Sequence, residues 1–117
     1  MRAAVLPLFM IAGLVAPAMA AEPTMQVVVL TLKDHRFTPA KLIVPAGQRI
    51  RIELINEDAA LEEFDSVDLG VEKDVTPHGR ASFSVGPLKP GTYSFMGELH
   101  ADTASGELQA VEPPAAR

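Results

Sequence analysis

Arg49-Ile50-Arg51-Ile52-Glu53-Leu54 alternates charged and branched aliphatic side chains, the pattern of a strand with one face in a core and one in water. A period of two, far more often than one of 3.6, also marks Met25–Leu32, Lys41–Val44, Ser66–Leu69, Ala81–Val85, Thr92–Phe95 and Glu107–Val111 as strands. Between them stand turn formers: Pro45-Ala46-Gly47, Pro77-His78-Gly79 and Pro87-Leu88-Lys89-Pro90-Gly91. Proline fixes φ and glycine admits positive φ, so these are the places where strands reverse. About seven or eight short strands with regular turns predict an all-β protein, an antiparallel β-sandwich. Asn56–Glu63 is the least strand-like interior stretch and reads as a loop or a short helical turn.

The first residues follow a different pattern. Arg2 precedes an apolar run from Ala3 to Val15, and Ala18-Met19-Ala20 fits the small-x-small cleavage rule, so residues 1–20 are expected to be a signal peptide cut after Ala20. The run is shorter than the roughly 20 apolar residues that cross a bilayer. Export is therefore expected. One domain over residues 21–112 and a frayed tail, 113–117, complete the predicted organisation. Without Arg2, 9 basic and 15 acidic side chains remain, a formal charge of −6. Such a surface repels phosphate backbones, so nucleic acid is not an expected partner; cations or basic proteins suit it better. Exported domains of this size often rely on disulfides, yet the chain has no cysteine. Stability has to come from the core, with help from a bound ion as one option.

The candidate chemistry is carboxylate and imidazole. If Glu63-Phe64-Asp65 is extended, Glu63 and Asp65 project to one side while Phe64 turns to the other and can enter a core. Glu98 and His100 are likewise two apart. By spacing alone, Glu62, Glu63 and Asp65 also fit a solvated acidic loop, and His100 a surface or packed histidine. Met96 offers a soft thioether suited to copper(I). His78, between Pro77 and Gly79, reads as an exposed turn residue, and Glu72-Lys73 as a surface ion pair or partner contact. Ser82, Ser84, Ser94 and Ser105 lack the surroundings of a nucleophile elbow, and no glycine-rich loop opens a helix to cradle phosphate. Paired carboxylates also serve glycosidases, but one tyrosine and no tryptophan leave little surface for stacking a sugar. A hydrolase is not expected.

Phe37-Thr38-Pro39-Ala40-Lys41-Leu42-Ile43-Val44-Pro45-Ala46-Gly47, then Asn56, then Gly86-Pro87-Leu88-Lys89-Pro90-Gly91-Thr92-Tyr93-Ser94-Phe95, resembles the cupredoxin pattern over nearly the whole mature chain. Glu62-Glu63-Phe64-Asp65-Ser66, Glu72-Lys73 and Gly97-Glu98-Leu99-His100-Ala101-Asp102-Thr103-Ala104 are similar to the EfeO-type cupredoxin-like family. That resemblance implies a cupredoxin-like Greek-key β-sandwich and a periplasmic role in bacterial iron uptake, as a domain of EfeO or as the small FtrB-like component of ferrous-iron permease systems. In register with the blue-copper pattern, Gly97 stands where the thiolate ligand would be and His100 where the second histidine follows. The first histidine position falls at or beside Glu63, and the axial methionine position near Ser105. A blue-copper centre needs a thiolate, so that form of electron transfer is excluded.

The resemblance places both acidic pairs, and His35 ahead of Phe37, at one end of the sandwich. The expected metal ligands are Glu63, Asp65, Glu98 and His100, with Glu62 and His35 supporting or alternative and Met96 of second rank. This oxygen-rich set points to a bound iron and/or copper ion, and its charge favours ferric over ferrous iron. In the FtrB-like reading the protein assists oxidation or transfer of ferrous iron beside a periplasmic iron-binding protein and an inner-membrane iron permease. Two alternatives are a copper-binding or copper-delivery protein using His35, Met96 and His100, and a metal-free scaffold for an uptake complex.

Overall fold

The protein is described by a computed structural model that covers residues 2–5, 7, 12, 13 and 25–113. The expected cleavage site at Ala18-Met19-Ala20, most of the expected signal peptide, and residues 114–117 of the expected tail lie outside the described residues. Among the described residues nine strands follow in order: β1 (Gln26–Lys33), β2 (Arg36–Thr38), β3 (Lys41–Pro45), β4 (Ile50–Asn56), β5 (Glu62–Ser66), β6 (Val71–Val75), β7 (Arg80–Val85), β8 (Gly91–Gly97) and β9 (Ser105–Val111), with one 3₁₀ turn, Glu98–His100, between β8 and β9. One sheet runs β2-β1-β4-β7 and the other β3-β9-β8-β5-β6. The expected all-β sandwich is what the chain forms.

The alternation in β4 works as its pattern predicts. Ile50, Ile52, Leu54 and Asn56 are buried, while Arg51 is exposed and Glu53 half-buried. Across the antiparallel pair with β7, Ile50 faces Val85, Ile52 faces Phe83 and Leu54 faces Ala81. The inner faces of both sheets close over Leu30, Leu32, Leu42, Val44, Phe64, Phe95 and Leu108. Phenylalanines bind the two sheets together near one end. Phe37 meets Phe95 edge-on at 5.1 Å between centroids, Phe64 stacks on Phe95 at 5.1 Å, and Phe64 reaches Phe83 at 4.8 Å. These spacings are those of favourable aromatic pairs.

Three local expectations give way. Of the expected strand Ser66–Leu69 only Ser66 is in a strand, and a turn over Val67–Gly70 follows it: Ser66 Oγ accepts the Leu69 N–H at 3.0 Å, Val67 C=O accepts Gly70 N–H at 3.2 Å, and Gly70 has φ +68°. A short hydroxyl side chain that bonds to nearby backbone competes with sheet pairing. The strand lies just before it, so Glu62 and Glu63 sit in β5 rather than in a loop. Two strands add to those expected. β2 has only three residues, and β6, Val71-Glu72-Lys73-Asp74-Val75, is a sheet edge whose charged middle hides its period. Finally, the sandwich is not wholly antiparallel. β1 runs parallel to β4, and β3 parallel to β9.

Candidate metal centre

Period two decides which acidic side chains face inward. In β5, Glu62, Phe64 and Ser66 are buried and Glu63 and Asp65 are not. Glu62 thus shares the core face with Phe64, and its side chain is only 3% exposed. An unpaired buried carboxylate is costly, and this one is fully partnered. Its Oε1 accepts the backbone N–H of Leu99 at 3.0 Å and of Glu63 at 3.1 Å, and its Oε2 lies 2.5 Å from His100 Nδ1.

Gly97, at the end of β8, makes room for this carboxylate. A Cβ there would lie 2.6 Å from Glu62 Cδ, 2.9 Å from Glu62 Oε1 and 2.8 Å from Ala104 Cβ. The position that the cupredoxin register assigns to a thiolate is thus bare, and Glu62 fills the space above it. The 3₁₀ turn then carries the chain round so that Leu99 N–H and His100 both meet the same carboxylate. Backbone bonds from Thr103 and Ala104 N–H to His100 C=O, at 3.1 and 2.8 Å, fix the far side of the turn.

His35 arrives from the other sheet. Asp34-His35 is the two-residue connection of the β1–β2 hairpin, whose register closes with Lys33 opposite Arg36. Both residues have positive φ, +52° and +55°. That is the geometry of a type I′ turn, which suits strand twist but usually recruits asparagine or glycine. The imidazole of His35 stacks on that of His100, centroids 3.8 Å apart and planes 12° apart.

Among the described residues, His35, Glu62 and His100 form a group able to hold a metal ion, each offering one ligand atom within 4.8 Å of the others. Ligand atoms on a tetrahedral ion at about 2.05 Å stand roughly 3.3 Å apart, so modest side-chain rotation closes the set. Two imidazoles and a carboxylate suit copper(II), zinc and iron(II). The donor chemistry therefore fits an ion. Occupation would displace the hydrogen shared by His100 Nδ1 and Glu62 Oε2.

The remaining expected ligands stand elsewhere. Glu63 and Asp65 lie on the outer face of the sheet, directly opposite Asp74 and Glu72 of β6. Met96 is 43% exposed and pairs with Asp65 on that same face. Glu98 sits beside Glu63. Partial desolvation, with the carboxylates of Glu98, Asp74 and Glu72, raises the Glu63 carboxyl above its ordinary range. The oxygen-rich set of Glu63, Asp65, Glu98 and His100 is thus divided between two faces, and the carboxylate that meets His100 is that of Glu62. The spacing carried the signal: Glu62 shares parity with the core residue Phe64, while Glu63 and Asp65 have the opposite parity. His78 is exposed as expected, with φ +53°, and its N–H bonds to Asp58 C=O at 2.9 Å.

The chain belongs to the cupredoxin-like domain family, whose model matches residues 4–110. It is 46% identical over 77 residues to an uncharacterized protein of Rickettsia prowazekii (strain Madrid E), a match covering 66% of this chain and 62% of that protein. The chain thus spans less than two thirds of that relative's length. Among solved structures it is similar to the metal binding domain of the Cu(I)-exporting P-type ATPase CopA of Streptococcus pneumoniae D39, solved with Cu(I), at a TM-score of 0.65 and 16% identity over 78% of this chain and 90% of that one. It is also similar to auracyanin A, a "blue" copper protein of Chloroflexus aurantiacus, at a TM-score of 0.62 and 13% identity over 73% and 98% of the respective chains. At such identities the likeness establishes the fold. The protein is a cupredoxin-like sandwich with copper-binding structural neighbours and a His/Glu/His group at one end.

Proposed function

We propose that the protein binds a copper ion through His35, Glu62 and His100, as a metal-handling cupredoxin rather than a blue-copper electron carrier. The observation that carries this reading is the buried Glu62 carboxylate, which lies over Gly97 and meets two stacked imidazoles. The carboxylate is held by two backbone N–H groups, so it is in place before any ion arrives. His100 is 28% exposed and provides the route by which an ion enters. A bound copper ion would supply a Lewis-acidic, redox-capable centre. The copper of the structural neighbours, a metal binding domain with Cu(I) and a "blue" copper protein, supports this choice of metal.

The finer reading rests on the EfeO-type resemblance of Glu62–Ser66 and Gly97–Ala104. In it, the protein is exported to the periplasm and serves iron uptake, passing iron to a periplasmic iron-binding protein and an inner-membrane permease, with an accessory part in ferrous-iron oxidation. A two-histidine, one-carboxylate set also suits iron(II), so the chemistry of the site is compatible with that role.

The test is calorimetric titration of the metal-free protein with Cu(II), Fe(II), Fe(III) and Zn(II), comparing wild type, Glu62→Gln/His100→Ala and Glu63→Gln/Asp65→Asn. Saturable Cu(II) binding should disappear in the first double variant and persist in the second. Binding that survives the loss of Glu62 and His100 would overturn the site. Fe(II) binding as tight as Cu(II), also lost with Glu62 and His100, would favour the iron role.

A further inference from the structure

Asp58 belongs to no motif, yet the β1–β2 turn depends on it. Its Oδ1 accepts the N–H of Asp34 at 2.7 Å and its Oδ2 the N–H of His35 at 2.9 Å. The same Oδ2 lies 3.6 Å from His35 Nδ1. One carboxylate thus caps both positive-φ residues of the turn and faces the ring that the turn presents. Neither turn residue is glycine, so both conformations are strained without support. Two charge-assisted bonds offset that strain.

Asp58 is itself held. Its N–H donates to Asn56 Oδ1 at 3.0 Å, and its C=O accepts His78 N–H at 2.9 Å. Asn56, 1% exposed at the end of β4, uses its Nδ2 to bond Ala60 C=O at 2.8 Å and Thr76 C=O at 3.1 Å. A continuous run of hydrogen bonds therefore leads from the buried end of β4 to the backbone N–H of His35, and the carboxylate that ends it lies 3.6 Å from the imidazole. With Nδ1 turned to Asp58, Nε2 is the nitrogen offered to an ion. A carboxylate on that side of the ring is the partner that commonly directs a metal-binding histidine.

We infer that Asp58 is the positioning residue for His35: it holds the Asp34-His35 turn in its left-handed conformation and aims the imidazole at Glu62 and His100. The inference rests on the metal reading above for its consequence, but not for its geometry.

Two experiments separate the two. In metal-free protein, the ring protons of His35 should be shifted by the current of the stacked His100 ring, and the His100→Ala variant defines the unshifted positions. In Asp58→Asn, whose amide cannot accept both N–H groups, the His35 resonances should already lie at those unshifted positions. Persistence of the wild-type shift would overturn the inference. The second experiment is a Cu(II) affinity cycle. Asp58→Asn should weaken binding by about 10–100-fold in the wild-type background, the usual effect of losing such a partner. It should change nothing further in a His35→Ala background. Equal losses in both backgrounds would mean that Asp58 acts through general stability, and would also overturn the inference. If Asp58→Asn does not fold, Asp58→Ser retains a single acceptor and replaces it. A wild type that binds no Cu(II) would remove the metal reading alone, because the ring shifts still decide on Asp58.

Discussion

A single methyl group is enough to test whether Gly97 and Glu62 share one space. In Gly97→Ala the new Cβ would stand 2.6 Å from Glu62 Cδ and 2.8 Å from the buried Ala104 Cβ. Something must move, and overpacking of this kind costs about 1–3 kcal/mol. We predict that Gly97→Ala weakens Cu(II) binding at least about 10-fold by displacing the carboxylate. Adding Glu62→Ala should recover part of the lost melting temperature, because the contact with Ala104 remains, but none of the metal affinity, as calorimetry and thermal unfolding would report. Unimpaired binding by Gly97→Ala would refute the exchange of thiolate space for carboxylate. At this scale the sequence exposes the candidates but ranks them poorly. The absence of cysteine, His100 and the bare Gly97 are visible in it, and Phe64 marks Glu62 as inward. Asp58 is invisible because its role depends on two hydrogen bonds across |i−j| of 23 and 24, which no local pattern records.

At the scale of elements, the outer face of β5 and β6 sets like charges side by side. Glu63 stands opposite Asp74 and Asp65 opposite Glu72. Directly opposed like charges destabilise a strand pair. Desolvation first, then the carboxylates of Glu98, Asp74 and Glu72, raises the Glu63 carboxyl, so in the folded chain it holds its proton to higher pH than in the unfolded chain. The folded state is therefore favoured at acid pH, and that advantage is lost as pH rises through the folded value. Glu63→Gln should accordingly raise the melting temperature at pH 7 and leave it nearly unchanged near pH 3. Added salt should shrink the gain, since exposed charges are screened. A larger gain at pH 3 than at pH 7 would contradict the assignment. Strand placement was legible wherever apolar and polar residues alternate, as in β4, β7 and β9. It failed where hydrogen bonds override the pattern, as at Ser66, or where an edge strand carries charges through its centre, as in β6.

For the whole molecule, a site joining both sheets would couple metal binding to stability. His35 comes from the hairpin of one sheet, and Glu62 and His100 from the other. An ion that binds only the folded chain stabilises it by mass action, about 2.7 kcal/mol at 100 times the dissociation constant. For a domain of this size that corresponds to a rise of roughly 10–20 °C in melting temperature. We predict such a rise with Cu(II) for the wild type and none for a His35→Ala/Glu62→Gln/His100→Ala variant, measured by differential scanning calorimetry.

The pairing of β9 fixes when the site can exist. β9 is inserted between β3 and β8, so the edge strand β3 has no partner in the five-stranded sheet until β9 arrives. His100 lies on the connection that delivers it. Pairings between strands so distant in the chain form late and slowly. A chain whose β9 has not yet been delivered therefore lacks the pairings that hold His100 beside its two companions, and the group exists only once both sheets are complete.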